Sequence, residues 1–286
     1  MYDVMIIGTG PAGVSAGLYT ARARLRTLII GSGSGALGKA DKIENYYGFS
    51  RPISGEKLLS EGILQAKNVG ADIISDQVVS VGFDNGYIIK TKNNEYMGKA
   101  VIIATGSNRT APKIDGFTRF EGQGISYCAV CDAFFYRDKD VAVLGCCEYA
   151  LHEAGELLPI AKSVTLLTNG VAPIADIPKE IPVITTPIAA LEGEQTLELV
   201  RFTDGSELQV AGMFVAIGVA GSSDLAKKLG AETEGLKIVV NENMATNLLG
   251  LYAAGDCTGG MMQIAKAVYE GAKAGTEAVK FVRSNQ

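Results

Sequence analysis

Apolar residues cluster in short unbroken runs along this chain, with helix formers between several of them. The first run, Asp3 to Ile7, leads into a glycine-rich turn, a helical stretch from Val14 to Arg24 and a second run from Arg26 to Ile30. Unbroken rather than alternating apolar residues predict strands covered on both faces, as in a parallel sheet. The same plan returns at 141–145, 148–158 and 164–168, with a further apolar strand from Met213 to Ile217. Two more runs, 101–106 (VIIATG) and 251–256 (LYAAGD), end in small-residue turns, and a last helix is expected from about Gln263. The fold class is α/β, with one Rossmann-like, dinucleotide-binding-type plan used twice.

The first turn reads Gly8-Thr9-Gly10-Pro11-Ala12-Gly13. In a GxGxxG cradle the first glycine makes the tight turn, the second lets backbone reach a pyrophosphate, and the third lets helix and strand pack closely. Pro11 suits the first helical turn, and the helix N-terminus attracts the anion. An incidental glycine turn is the competing reading, and the strand–turn–helix–strand context weighs against it. The acid usual after the second strand is absent, because Ile30 is followed by Gly31 and Ser32; a ribose must be held otherwise.

Composition narrows the chemistry. The 286 residues suffice for two domains, and 35 glycines suggest many turns and close backbone approaches. A net charge of −5 argues against nucleic acid as main partner. No apolar run approaches the ~20 residues of a membrane helix. The start, MYDVMIIGTG, reads as a first strand without a basic signal-peptide region. Five cysteines without an export signal suggest the reducing cytoplasm. His152 is the only histidine, so acid–base work falls to a carboxylate, lysine, tyrosine or thiol. His152 itself is expected on the surface.

The segment Ser126 to Tyr136 reads SYCAVCDAFFY. Cys128 and Cys131, two residues apart at a turn into a helix, can close a small disulfide ring, and a helix N-terminus lowers a thiol pKa. Asp132 can serve the leaving thiol as acid and base. The alternatives are two buried cysteines or half of a zinc site. The only other close pair, Cys146-Cys147, is adjacent rather than spaced for chelation, so no metal is expected.

The glycine cradle with the 101–106 and 251–256 turns resembles the FAD domain of flavoproteins that carry two dinucleotide-binding domains. CAVCDAFFY closely resembles the redox motif of the low-molecular-weight thioredoxin reductases, and the likeness spans the chain through GTGPAG, Glu44-Asn45, ATG and AAGDC. It implies the three-layer ββα-type architecture of flavoprotein disulfide reductases. The implied FAD domain is residues 1–112 plus 244–286, and residues 113–243 form an inserted nicotinamide-type domain. The crossovers fall near Thr110-Ala111-Pro112 and Asn241-Glu242-Asn243. It implies FAD contacts from Gly8, Thr9, Gly10, Pro11, Ala12 and Gly13, from Gly31, Ser32 and Gly35, and from Asn45 and Val78. Ala104, Thr105, Gly106, Gly255, Asp256, Gln263, Ile264 and Ala265 complete that set, with Asp256 near the ribityl phosphate. It further implies thioredoxin as substrate, a homodimer, Cys131 nearer the flavin and Cys128 nearer thioredoxin.

The second cradle departs from the NADPH-dependent pattern. In Gly145-Cys146-Cys147-Glu148-Tyr149-Ala150, Cys147 holds the place that phosphate needs open, and Glu148 adds negative charge. After the next strand, Thr168-Asn169-Gly170-Val171-Ala172-Pro173 offers no arginine for a 2′-phosphate and no acid for a ribose. The chain therefore resembles most the ferredoxin-dependent flavin thioredoxin reductases, implying ferredoxin or flavodoxin as donor. A ferredoxin near about −400 mV feeding a thioredoxin near about −270 mV releases about 6 kcal/mol for two electrons. Arg22, Arg24 and Arg26 form a candidate docking patch, or simply a solvated helix end. An altered NAD(P)H mode and a flavin redox sensor without turnover remain the alternatives. Cys146 and Cys147 read as small core side chains, and Cys257 as structural.

Overall fold

The computed structural model describes the chain outside residues 107–111, 128, 174–176, 218–220 and 286, and outside the side chains of Lys39, Val130 and Cys131. The chain forms two compact units, Met1–Asn108 with Gly221–Gln286, and Arg109–Ala220.

The first unit begins with β1 (Tyr2–Ile7), α1 (Pro11–Arg22), β2 (Thr27–Gly31), α2 (Gly55–Asn68) and β3 (Asp72–Ser75). The hairpin strands β4 (Val78–Phe83) and β5 (Tyr87–Thr91) follow, then the long β6 (Glu95–Ile103). Its sheet runs β3-β2-β1-β6-β5-β4. The pairs among β3, β2, β1 and β6 are parallel, while β4, β5 and β6 turn back antiparallel. Asn85 and Gly86, both at positive φ, make the tight turn that an Asn-Gly pair favours. Ser54 caps α2 by accepting from the Lys57 N–H at 3.3 Å, one of the donors a helix start leaves open.

The second unit contains α3 (Phe117–Phe120), β7 (Ile125–Ser126), α4 (Ala129–Asp132), β8 (Asp140–Leu144), α5 (Glu148–Leu157) and β9 (Ser163–Leu167). Then come β10 (Val183–Ile184), β11 (Ile188–Glu192), β12 (Leu199–Phe202), β13 (Glu207–Gln209) and β14 (Gly212–Val215). A parallel sheet runs β10-β9-β8-β14-β7, beside an antiparallel β11-β12-β13 sheet. The chain returns to the first unit through α6 (Ser222–Leu229), β15 (Thr233–Glu234), β16 (Lys237–Ile238), β17 (Leu251–Ala253) and α7 (Ile264–Ser284). β17 also pairs with β6 in parallel.

The expected repeat is present. The β2-β1-β6 order in one unit matches β9-β8-β14 in the other, and each central strand leads into a helix over the sheet. In the first unit Val4, Ile6, Ile29 and Ile102 are buried, each contributing about 1.5–3 kcal/mol on burial. Small residues let α7 lie close on α1: a Cβ built on Gly271 would stand 2.1 Å from the Ala12 carbonyl oxygen.

One boundary differs from the sequence reading. The second crossover falls at 220/221 rather than near 241–243, because residues 221–243 pack with the first unit. There Ser222 Oγ donates to the Gly106 carbonyl at 2.6 Å and lies at hydrogen-bond distance, 2.6 Å, from Thr105 Oγ1. The first crossover, with Thr110 and Ala111, lies outside the described residues. No described helix is long and apolar enough to cross a membrane.

Candidate active site

The cradle of the first unit has the geometry a dinucleotide needs. Gly8 turns at φ 123°, and a Cβ there would lie 2.1 Å from the Ala104 carbonyl oxygen. A Cβ on Gly13 would lie 1.9 Å from the Gly8 carbonyl oxygen. A Cβ built on Gly10 meets nothing within 4 Å. Gly8 and Gly13 are thus small because protein fills their surroundings, while Gly10 keeps space open beside the start of α1. That open space and the helix N-terminus fit the pyrophosphate of FAD.

The other FAD candidates gather by element. Thr9 sits against Gly31, its hydroxyl oxygen 2.7 Å from where a Gly31 Cβ would be. The Gly31 carbonyl accepts from the Asp76 N–H at 3.2 Å, which ties the end of β2 to the chain just before buried Val78. Ser32 and Gly35 lie exposed after β2. Ala104 donates its N–H to the Ile7 carbonyl at 2.7 Å, while Thr105 and Gly106 are held by Ser222. Pro11 and Ala12 open α1. Gly255 precedes the 3₁₀ turn Asp256–Thr258, and Ile264 and Ala265 begin α7 behind Gln263. Asn45 Nδ2 donates to Gln263 Oε1 at 3.0 Å. The sequence reading missed Ser222, Lys266 and Glu270; Glu270 interrupts the buried row Ala267, Gly271, Ala274 and Ala278, which was a readable signal.

The second cradle copies the first bond for bond. The Gly145 N–H donates to Leu167 at 2.9 Å, as Gly8 does to Ile30 at 2.7 Å. Ala216 donates to Leu144 at 2.8 Å, as Ala104 does to Ile7. Cys147 and Gly10 are both extended N-caps, with ψ −179° and −178°. At this shared backbone position Cys147 carries a side chain, and the residue is buried, 8% exposed. Glu148 stands in the first turn of α5. Cys146 is half-buried, and burial followed by its Cys147 neighbour pushes its thiol pKa upward. Asn169 is engaged elsewhere, accepting from the Ile188 N–H at 2.7 Å.

Two carboxylates take part in the CxxCD segment's hydrogen bonds. Cys128 lies outside the described residues, as does the Cys131 side chain. Asp132 accepts from Ser126 Oγ at 2.6 Å, and its charge, after burial, raises the Tyr136 phenol pKa. The anticipated helix is only the four residues Ala129–Asp132. The Ala129 N–H at its start already donates to Glu153 Oε2 at 2.8 Å, so that donor faces a carboxylate rather than a thiolate. Glu153 is buried, on the face of α5 shared by Ala150, Ala154 and Leu157, where a carboxylate signals a specific partner. His152, expected on the surface, has a side chain only 23% exposed, with Nε2 3.7 Å from Glu156 Oε1. Cys257 is buried, its thiol donating to the Ile103 and Ala254 carbonyls at 3.4 and 3.3 Å. Phe134 and Phe135 beside the redox segment are largely exposed. Among the described residues no cluster of His, Cys, Asp and Glu could hold a metal ion.

Residues 2–271 match the family model of the pyridine nucleotide-disulphide oxidoreductases. The chain is 37% identical over 276 residues to a thioredoxin reductase of Aquifex aeolicus, covering 90% of this chain and 85% of that one. Its fold is similar to the crystal structure of an atypical thioredoxin reductase of Desulfovibrio vulgaris Hildenborough, with TM-score 0.91, 41% identity and 99% of both chains covered. A ferredoxin-flavin thioredoxin reductase of Clostridium acetobutylicum gives TM-score 0.72 and 32% identity, covering 99% of this chain and 98% of that one.

Proposed function

The chain belongs to the pyridine nucleotide-disulphide oxidoreductase family, whose thioredoxin reductases are FAD flavoproteins, and on that footing we propose that it reduces thioredoxin with electrons from ferredoxin or flavodoxin. The observation that carries the choice of donor is Cys147, a buried side chain at the backbone position where Gly10 leaves space in the other cradle. The absence of any basic residue from 168 to 173 points the same way. The likeness to a ferredoxin-flavin thioredoxin reductase supports this reading.

The proposed division of labour follows the two units. FAD is held by the Gly8–Gly13 cradle, Gly31, Ser32, Gly35, Asn45, Val78, Ala104–Gly106, Gly255, Asp256 and Gln263–Ala265. When bound, FAD supplies the change between one-electron intake and two-electron delivery. The inserted unit carries the thiol chemistry. As the Cys128–Cys131 dithiol, one thiolate attacks a sulfur of the thioredoxin disulfide and expels the other as thiolate; the second cysteine then attacks the mixed disulfide and releases reduced thioredoxin. Asp132 takes and returns the proton that these steps move, with Ser126 fixing its carboxylate. By family likeness Cys128 faces thioredoxin and Cys131 the flavin. The enzyme is proposed as a cytoplasmic homodimer, with exposed Arg22, Arg24 and Arg26 drawing an acidic donor protein.

The test is anaerobic mixing of oxidised protein and thioredoxin with NADPH, with NADH, or with photoreduced ferredoxin. Flavin absorbance and new thiols are followed together. Reduction by ferredoxin alone is expected. Rapid flavin bleaching at micromolar NADPH would overturn the choice of donor.

A further inference from the structure

The loop from β17 to α7 takes a path that only glycine adopts at two points. Gly255 has φ 88° and ψ −152°, and Gly259 has φ 79° and ψ −156°. Between them Asp256, Cys257 and Thr258 form one 3₁₀ turn. Backbone in this region persists only where its surroundings over-determine it.

An ion pair does that here. The Gly255 N–H donates to Glu270 Oε2 at 2.8 Å. Lys266 Nζ donates to the Gly255 carbonyl at 2.8 Å and also to the Gly259 carbonyl. Thr258 Oγ1, inside the turn, lies 2.9 Å from both Glu270 Oε2 and Lys266 Nζ. The two charges are 3.0 Å apart, with side chains only 13% and 11% exposed. Both backbone polar groups of Gly255 are therefore committed to the pair, and each glycine that brackets the turn is gripped by the same ammonium.

Helix preferences do not account for this placement. Lys266 puts a cation in the first turn of α7, at the positive end of the helix dipole. Lysine before glutamate is also the weaker order for a pair four residues apart. A pair that breaks two local rules while satisfying a loop is placed for the loop. On the other side, Gln263 is fastened to Asn45, so the segment from Gly255 to Gln263 is pinned at both ends.

We propose that Lys266 and Glu270 are positioning residues of the cofactor site, holding the Asp256 loop in the only path that presents it to FAD. This rests on the reading that Asp256 faces FAD. The pair acts through the two glycines that it holds.

The experiment compares Lys266→Met, Glu270→Gln, Lys266→Arg and the double variant Lys266→Met/Glu270→Leu, with Asp256→Asn as reference for the site. Apoprotein is titrated with FAD by flavin fluorescence, its melting temperature is recorded separately, and the bound flavin's absorbance spectrum is taken. Lys266→Met is expected to bind FAD at least about ten-fold more weakly, since it leaves a buried carboxylate unpaired. The double variant should recover the apoprotein melting temperature but not the affinity, because the loop's amide and carbonyls still lack partners. Recovery of wild-type affinity and spectrum by the double variant would overturn the proposal, making the pair a brace of the fold alone. If Lys266→Met fails to fold, the double variant and Lys266→Arg decide in the same way, the arginine being expected to restore part of the affinity. Wild-type affinity in the pair variants with weakened affinity in Asp256→Asn sinks the clasp alone. Wild-type affinity in Asp256→Asn sinks the reading of Asp256 on which it rests.

Discussion

Asn45 and Gln263, 218 positions apart in the chain, meet side chain to side chain at 3.0 Å. One precedes α2 and the other stands at the start of α7, so the bond joins two segments of the candidate FAD site. Both side chains are exposed, which limits the bond to about 1 kcal/mol.

Asn45→Ala and Gln263→Ala are each expected to weaken FAD binding about five-fold, the factor that about 1 kcal/mol represents. The double variant should lose little more than either single one, because both remove one bond. Fluorescence titration of apoprotein measures this, and fully additive losses would show that the two residues act separately.

Cys146→Gly/Cys147→Gly should open the second cradle without giving NADPH use. The cradle would regain space, but residues 168 to 173 still offer no cation for a 2′-phosphate. Stopped-flow absorbance is expected to show no flavin bleaching with micromolar NADPH. Bleaching would mean that the two cysteines by themselves block an otherwise working site.

Asp132→Asn should slow thiol exchange with thioredoxin by about 10²–10⁴-fold, the usual worth of a positioned acid or base. Ser126→Ala removes the 2.6 Å bond that orients Asp132 and should cost about ten-fold or less. Single-turnover reaction of the reduced enzyme with oxidised thioredoxin separates the two. A Ser126→Ala loss equal to that of Asp132→Asn would make the hydroxyl itself a proton carrier.

Glu153→Leu leaves the Ala129 N–H buried without its acceptor and should destabilise the inserted unit by about 1–3 kcal/mol. Hydrogen exchange should quicken in peptides of the second unit around 125–157. Equal acceleration in β1 and β6 peptides would show a global effect.

Thiol reactivity should follow burial. Burial pushes the Cys257 pKa up to about 12 and raises that of Cys146, its Cys147 neighbour adding to the effect. A raised thiol pKa means less thiolate at any lower pH, so alkylation at pH about 8 should be slow at Cys146 and slower at Cys257. Rates should climb as pH rises, and unfolding should remove the difference. Mass-spectrometric mapping of the alkylated peptides reads both effects.

Much of the fold was legible because its signals are local. An unbroken apolar run such as Val4–Ile7 reports a strand covered on both faces, and Gly8, Gly10 and Gly13 report a turn with helix and strand around it. The repeat at 141–168 followed from the same signals. The second crossover was not legible, because residues 221–243 are assigned by packing: Ser222 holds Thr105 and Gly106, more than a hundred positions away. The acceptor of the Ala129 N–H was not legible for a related reason, since a helix start leaves that donor open and Glu153, on another helix, supplies the partner.

The sequence by itself determined which residue types stand together: a CxxCD segment, one intact glycine cradle, and one with a cysteine at the position corresponding to Gly10. Residue types at short spacing carry that information, since a glycine or a thiol has the same capacity wherever the chain runs. The tertiary structure alone decided which side chains serve others at a distance. It brought Asn45 to Gln263, Glu153 to Ala129, and Lys266 with Glu270 to the glycines around Asp256. Hydrogen bonds and buried charges act only at contact distance, and contact between distant positions is made by packing.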